Sequence, residues 1–168
     1  GTNLWAWWSE NSNLFRSAKF PDLLHRILTQ TTIPRIRISS LGIEFVTDDL
    51  LAVIREYPER INPYFHLSIQ SGSDAILQKM NRHYSRDILI GALEKLSQLG
   101  ANGYYPNIWA DIIVGFPHES LEDFEHTYSI VDRYITQLHA FPFSPHKDRY
   151  SVPAGSYEWQ IPLLEKTR

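Results

Sequence analysis

One stretch restricts the folds open to this chain more than any other: Tyr64–Tyr84, YFHLSIQSGSDAILQKMNRHY. Apolar and aromatic residues run into a small polar turn, Gln70-Ser71-Gly72-Ser73, and an apolar-periodic helix follows. A buried strand that carries Gln and Ser to its C-terminal tip and passes straight into a helix is the unit from which parallel α/β folds build ligand sites.

The unit recurs along the chain. Arg35–Leu41, RIRISSL, alternates charged and apolar residues and closes on Ser39 and Ser40. Asn107–Val114, NIWADIIV, is an apolar strand interrupted by one carboxylate, Asp111, and the Gly115-Phe116-Pro117 turn ends it. Thr136–Phe143 is a fourth strand, and Pro58 and Pro63 bracket the turn into the Tyr64 strand. Helices fill the intervals: Phe20–Gln30, one capped by Thr47, a short one capped by Ser73, and a longer one running from Ser85 to a C-cap at Gly100. Leu121–Tyr134 opens on a capping box of Ser120 and Asp123. Apolar strands joined by helical crossovers pair in parallel. Four strands are too few to close a barrel, so the expected fold is α/β, a partial parallel (β/α) barrel lacking its N-terminal strands. Residues 1–19 and 145–168 read as a leading loop and a trailing tail. In the former, Trp5, Trp7 and Trp8 either pack over the end of the core or offer a stacking surface for bases.

Composition narrows the function. The chain has 168 residues, 43% hydrophobic and 21% charged, enough for one sizeable core. Lys and Arg number 16 against 19 Asp and Glu, a net charge of −3, so any nucleic-acid contact is a local patch or lies outside these residues. The absence of cysteine excludes disulfides and thiolate metal sites within the chain. No apolar run reaches transmembrane length, which makes a soluble cytoplasmic protein the default. The initial Gly and the missing early strands fit a segment of a longer protein.

Polar residues gather at strand C-terminal ends, where parallel α/β folds bind ligands: Ser39 and Ser40, Gln70 and Ser71, the turn from Gly115 to Glu119, and Ser144. Lys79, Arg82, His83 and Arg86 form a basic patch beside one of these tips. His66, Asp111 and His139 lie inside strands, and each taken alone reads as a hydrogen-bonded structural residue. The seven His residues show no HxxxH spacing, and neither a GxSxG elbow nor a phosphate loop is present.

In this order and spacing, RIRISSL, HLSIQSGSDAILQKMNRHY, ADIIVGFPHESLEDFEHTYSIV and HAFPFSP resemble the radical S-adenosylmethionine domain of the methylthiotransferases, most closely the branch that modifies threonylcarbamoyladenosine beside the tRNA anticodon. His66, Gln70, Ser71, Gly72, Ser73, Leu77, Met80, Arg82 and Tyr84 match one motif of that family. Asp111, Ile113, Val114, Gly115, Phe116, Pro117 and Glu119 match another, and Val152-Pro153-Ala154-Gly155 resembles a third. Three departures stand out. His118 replaces a Gly, Gly42-Ile43 replaces a Glu-Pro, and His146-Lys147-Asp148-Arg149 replaces an Arg-x-Gly-Thr.

The resemblance implies a radical enzyme of the partial-barrel type. In that family a CxxxCxxC loop holds a [4Fe-4S] cluster that reductively cleaves S-adenosylmethionine, and a second cluster helps deliver sulfur. The cluster loop, the sulfur-delivery domain and the RNA-binding domain would lie outside residues 1–168, and the chain alone would be inactive. By the same resemblance, Ser39, Ser40, Gln70, Ser71, Arg82, Val114, Gly115, Phe116 and Pro117 line the S-adenosylmethionine pocket, and tRNA is the partner of the intact protein. Two alternatives are another radical enzyme, such as one modifying an aspartate of a ribosomal protein, and a non-catalytic α/β binding module.

Overall fold

The computed structural model describes residues 20–100 and 104–144. The element order is α1 (Phe20–Gln30), β1 (Ile36–Leu41), α2 (Asp48–Glu56), β2 (Ile61–Gln70), α3 (Asp74–Lys79), α4 (Arg86–Ser97), β3 (Asn107–Val114), α5 (Leu121–Tyr134) and β4 (Gln137–Pro142). The four strands form one sheet in the order β1-β2-β3-β4, and each neighbouring pair is parallel. Sequential parallel order with a helix in every crossover is the topology of a barrel wall. The partial-barrel expectation therefore holds for the described residues. None of their helices is long and apolar enough to cross a membrane.

The sheet has two different faces. Ile38, Leu41, Phe65, Leu67, Ile69, Ile108 and Ala110 are buried against the helices, which contribute Leu24, Leu28, Leu50, Leu51, Ile54, Leu89, Leu93 and Leu96 to the same core. The alternating residues of β2 and β3, including Tyr64, His66, Ser68, Trp109 and Asp111, are only half-buried on the other face. That inside-out alternation is what a strand period of two dictates.

Local capping follows the sequence closely. Thr47 accepts from the Leu50 amide at 3.3 Å and Ser85 from the Ile88 amide at 3.3 Å. Ser120 and Asp123 form the reciprocal capping box of α5. Three details differ. Strand β2 begins at Ile61, ahead of Pro63, and the register with β1 jumps between the Ile36↔Ile61 and Ile38↔Phe65 pairs. A proline is tolerated there because the irregular pairing requires no ladder hydrogen bond from it. Helix α4 does not end on a left-handed Gly100. It tightens into a 3-10 turn over Gln98–Gly100, and Gly115 is the glycine recorded at positive φ. Ser73 is the N-cap residue of α3, but its hydroxyl donates to the Asp123 carboxylate instead of accepting from its own helix.

One anchor carried no recognisable sequence signal. The Arg60 guanidinium donates to the carbonyls of Leu28, Thr31 and Ile33, tying the end of α1 and the loop before β1 to the start of β2. Trp5, Trp7, Trp8 and the 145–168 tail lie outside the described residues.

Candidate functional site

The C-terminal ends of the strands share an unusual backbone feature. Ser40 at the end of β1 has φ 54°, Gln70 at the end of β2 has φ 69°, and Gly115 just after β3 has φ 71°. For Ser40 and Gln70 this left-handed conformation costs about 1–2 kcal/mol each. Both residues coincide with register slips. Three steps separate Ile38 from Leu41 on β1 where two separate Phe65 from Leu67 on β2. Two steps separate Ser68 from Gln70 where one separates Asp111 from Ile112. A bulge bends the strand and re-aims the side chains next to it, and bulges concentrate beside ligand sites. At the first one, Ser39 and Ser40 are both exposed between the buried Ile38 and Leu41.

The turn after β3 is rigidly built. The Glu119 amide donates to the Phe116 carbonyl at 2.9 Å, with Pro117 second and His118 third at φ 65°. This is the pattern of a type II turn, which prefers Gly at the third position. His118 thus occupies the place where a side chain is least welcome, yet the turn keeps its form. The Glu119 carboxylate reaches back and accepts from the Gly115 amide at 2.6 Å. Burial pushes the Glu119 carboxyl above its ordinary value, and the amides of Gly115 and Phe116 offset part of that rise. Phe116 packs edge-on against Phe143 with centroids 4.9 Å apart, and the Phe143 amide donates to the Val114 carbonyl. The tips of β3 and β4 therefore form one unit.

The turn after β2 is tied to α5. Ser71 is fully buried, its hydroxyl 3.3 Å from Thr127 Oγ1 and accepting from the Ser73 amide at 3.1 Å. The Gly72 amide donates to Thr127 Oγ1 at 2.9 Å. Arg86 closes the junction by donating to the carbonyls of Gly72 and His126, at 2.9 and 2.7 Å, and to the Ser129 hydroxyl at 3.0 Å. Burial disfavours the Asp123 carboxylate, but hydrogen bonds from Ser73 and Ser120 outweigh it and hold its pKa below the usual carboxylate range. Tyr84, pushed up to about 12 by burial, donates its hydroxyl to the Ile69 carbonyl and anchors the end of β2 from behind.

The residues singled out from sequence fall into three groups. Ser39, Ser40, Gln70 and the Val114–Pro117 turn stand along the strand-tip edge, the serines exposed and the others half-buried. Ser71 lies beneath that edge, fully buried, with its hydroxyl engaged by Thr127 and the Ser73 amide. Arg82 is exposed after α3, where its amide and that of Asn81 close the helix end onto Leu77 and Gln78, with Asn81 at φ 56°. The basic patch is smaller than its sequence, because the Arg86 guanidinium is drawn into the junction with α5.

A second constellation was not legible as a unit. His66 Nε2 lies 2.9 Å from Asp111 Oδ1, and His139 Nδ1 lies 3.2 Å from the same oxygen. Each of the three is indeed hydrogen-bonded, as expected, but to one another and on the sheet face away from the helices. Around them Tyr64 meets Trp109 edge-on at 5.0 Å, Trp109 meets His139 at 5.4 Å, and the Arg37 guanidinium lies 3.6 Å over the Tyr64 ring. The available signal was the alternation within each strand. His66, Asp111 and His139 all fall in the phase opposite to the aliphatic residues.

The chain has no cysteine, so it offers no thiolate ligand to an iron–sulfur cluster. The strand-tip edge does suit a polar ligand with an aromatic base, since it offers hydroxyls, one amide side chain and the Phe116 ring.

Comparison with known proteins gives the chain its relatives. Residues 13–131 match the family model described as the Radical SAM superfamily. Over 146 residues the chain is 37% identical to a threonylcarbamoyladenosine tRNA methylthiotransferase of Rickettsia prowazekii, covering 86% of the chain and 33% of that protein. Over 156 residues it is 36% identical to a tRNA-2-methylthio-N(6)-dimethylallyladenosine synthase of Clostridium botulinum, covering 92% and 33%. A threonylcarbamoyladenosine tRNA methylthiotransferase of Treponema pallidum is 40% identical over 149 residues, covering 86% and 30%. The chain thus spans about a third of the length of these relatives.

Proposed function

The chain belongs to the radical S-adenosylmethionine superfamily, and from that premise we propose that it is the cofactor-binding wall of a tRNA methylthiotransferase that adds a methylthio group to an N6-modified adenosine. The left-handed Ser40 and Gln70, in line with the Gly115 turn, carry this reading, because strained non-glycine backbone clusters at ligand sites. The relatives' names support it: one is named for threonylcarbamoyladenosine and tRNA, the other for tRNA 2-methylthio-N(6)-dimethylallyladenosine.

S-adenosylmethionine supplies, when bound, the sulfonium carbon–sulfur bond that such enzymes cleave. In this reading the exposed hydroxyls of Ser39 and Ser40 and the Gln70 amide hydrogen-bond its polar groups. Phe116 and Pro117 offer an apolar wall for adenine, with Val114 and Gly115 fixing their position. Arg82, exposed after α3, is the cation for the methionyl carboxylate. Ser71 acts indirectly, through the Thr127 junction that sets where Gln70 stands. With no thiolate of its own, the chain binds the cofactor without cleaving it, and the intact protein works on tRNA in the cytoplasm.

Mass spectrometry of tRNA nucleosides from cells with and without the intact gene tests this reading. Loss of a methylthio-adenosine derivative on deletion is expected. An unchanged nucleoside profile, together with loss of a modification on a ribosomal protein, would move the assignment to the other substrate class. Failure of the intact, iron-reconstituted protein to cleave S-adenosylmethionine would leave only a binding module.

A further inference from the structure

On the face of the sheet away from the helices, His66 Nε2, Asp111 Oδ1 and His139 offer three metal-ligand atoms that lie within 4.8 Å of one another. We infer that His66, Asp111 and His139 form a binding site for one first-row divalent transition-metal ion, such as zinc or iron(II).

The site is built across three strands. Asp111 pairs directly with His139 in the β3–β4 register, and His66 stands two residues before Ser68, the β2 partner of Asp111, on the same face of the sheet. Neighbouring parallel strands and a shared side-chain phase bring the three groups to one spot without any local sequence motif. That is why no HxxxH spacing announces it.

The distances are those of a hydrogen-bonded triad and also place all three groups within reach of one ion. Bonds of about 2.0–2.1 Å from a metal to imidazole nitrogen and carboxylate oxygen place adjacent ligand atoms about 3.0–3.4 Å apart. The two nitrogen-to-Oδ1 separations are 2.9 and 3.2 Å. Both imidazoles share the same carboxylate oxygen as hydrogen-bond partner, and an ion held between the three groups would take the place of those two bridging protons. Ion binding requires only that each ring hold its proton on the nitrogen facing away.

The surroundings set the ion class. Two imidazoles and one carboxylate suit zinc, iron(II) or cobalt(II), whereas calcium and magnesium favour all-oxygen shells. Three protein ligands leave coordination positions open on the sheet face away from the helices, the pattern of reactive and not of structural metal sites. His66 and Asp111 side chains are each 20% exposed; Trp109 and Phe141 pack edge-on against His139 and Tyr64 lies tilted beside His66, lowering the local dielectric while leaving an entry path. His66 lies four residues before Gln70 and Asp111 four before Gly115, so at about 3.3 Å per residue the ion would sit about 13 Å below the strand tips. It is separate from the proposed S-adenosylmethionine edge.

The test is zinc uptake by the 168-residue chain after chelator treatment, read by isothermal titration calorimetry and by the visible spectrum of the cobalt(II) form. Because the chain carries no cysteine, thiolate binding cannot contribute. One equivalent per chain is expected, with a rise in melting temperature at saturating zinc. Asp111→Asn and His139→Gln should each weaken uptake by at least about 100-fold. His139 is on the exposed edge strand, so that variant keeps its fold even where Asp111→Asn does not, as circular dichroism would show. His25→Gln, at a half-buried site on α1 outside the triad, should bind like the parent. Absence of stoichiometric uptake, or uptake that survives His139→Gln unchanged, would reduce the cluster to a hydrogen-bonded triad and overturn the inference.

Discussion

Replacing Gly72 by alanine asks directly whether the turn after β2 is held by close packing against α5. A Cβ at Gly72 would lie 2.8 Å from the His126 carbonyl oxygen, 2.8 Å from Thr127 Cα and 2.9 Å from Ile130 Cδ1. Two of these atoms are helix backbone, which no side-chain rotation can clear. The turn must therefore back away from α5, stretching the hydrogen bond from the Gly72 amide to Thr127 and the one that Arg86 donates to the Gly72 carbonyl. Overpacking of this kind costs about 1–3 kcal/mol and a weakened buried hydrogen bond about 1 kcal/mol more, so a loss of about 3 kcal/mol is expected. Gly91, inside α4, provides the opposite sign on the same chemistry. Nothing lies within 4 Å of its added Cβ, and Gly91→Ala should stabilise the helix by about 0.8 kcal/mol. Urea unfolding followed by circular dichroism measures both. A Gly72→Ala loss below about 1 kcal/mol would refute the packing account of the Gln-Ser-Gly-Ser turn.

Three further perturbations have defined signs. His118→Gly places the favoured residue at a left-handed turn position and should raise stability by about 0.5–1 kcal/mol in the same urea assay, with no change or a loss counting against the type II turn. Tyr104 buries a hydroxyl with no hydrogen-bond partner among the described residues, so Tyr104→Phe should stabilise by about 1 kcal/mol, and a destabilised variant would reveal a partner for that hydroxyl. The Glu119 pKa is raised by burial, so the protonated form is favoured in the fold, and the stability it contributes is full below its unfolded pKa and lost as pH rises through the folded value. Glu119→Gln keeps an acceptor for the Gly115 amide but does not titrate. The unfolding free energy of the parent minus that of the variant should therefore fall from about pH 4 to pH 7, and a flat or rising difference would contradict the burial argument.

Much of the fold was legible because its signals are local. The caps at Thr47, Ser85 and Ser120 with Asp123 are short-range hydrogen-bonding patterns, and the apolar strands are short-range periodicities, so both can be read from a few consecutive residues. The strand-tip residues were legible for the same reason, since each closes an apolar run. What escaped is non-local. Arg60 reaches back about thirty residues to the carbonyls before β1, and Arg86 reaches forward to α5. Neither leaves a mark on its own neighbourhood. His66, Asp111 and His139 look like isolated core residues one strand at a time, and only the parallel register joins them. Ser73 shows a subtler limit: the cap position is evident, but the Asp123 carboxylate fifty residues away wins the hydroxyl.

The proposed cofactor edge is tested most directly by titrating S-adenosylmethionine into isotope-labelled 168-residue chain and following the backbone amides by NMR, which registers even weak binding. Shifts are expected at Ser39, Ser40, Gln70, Gly115 and Phe116, with little change at His66, Asp111 or His139 and none along α1. Saturable binding confined to another surface, or no shift at these strand tips at any ligand concentration, would contradict the account.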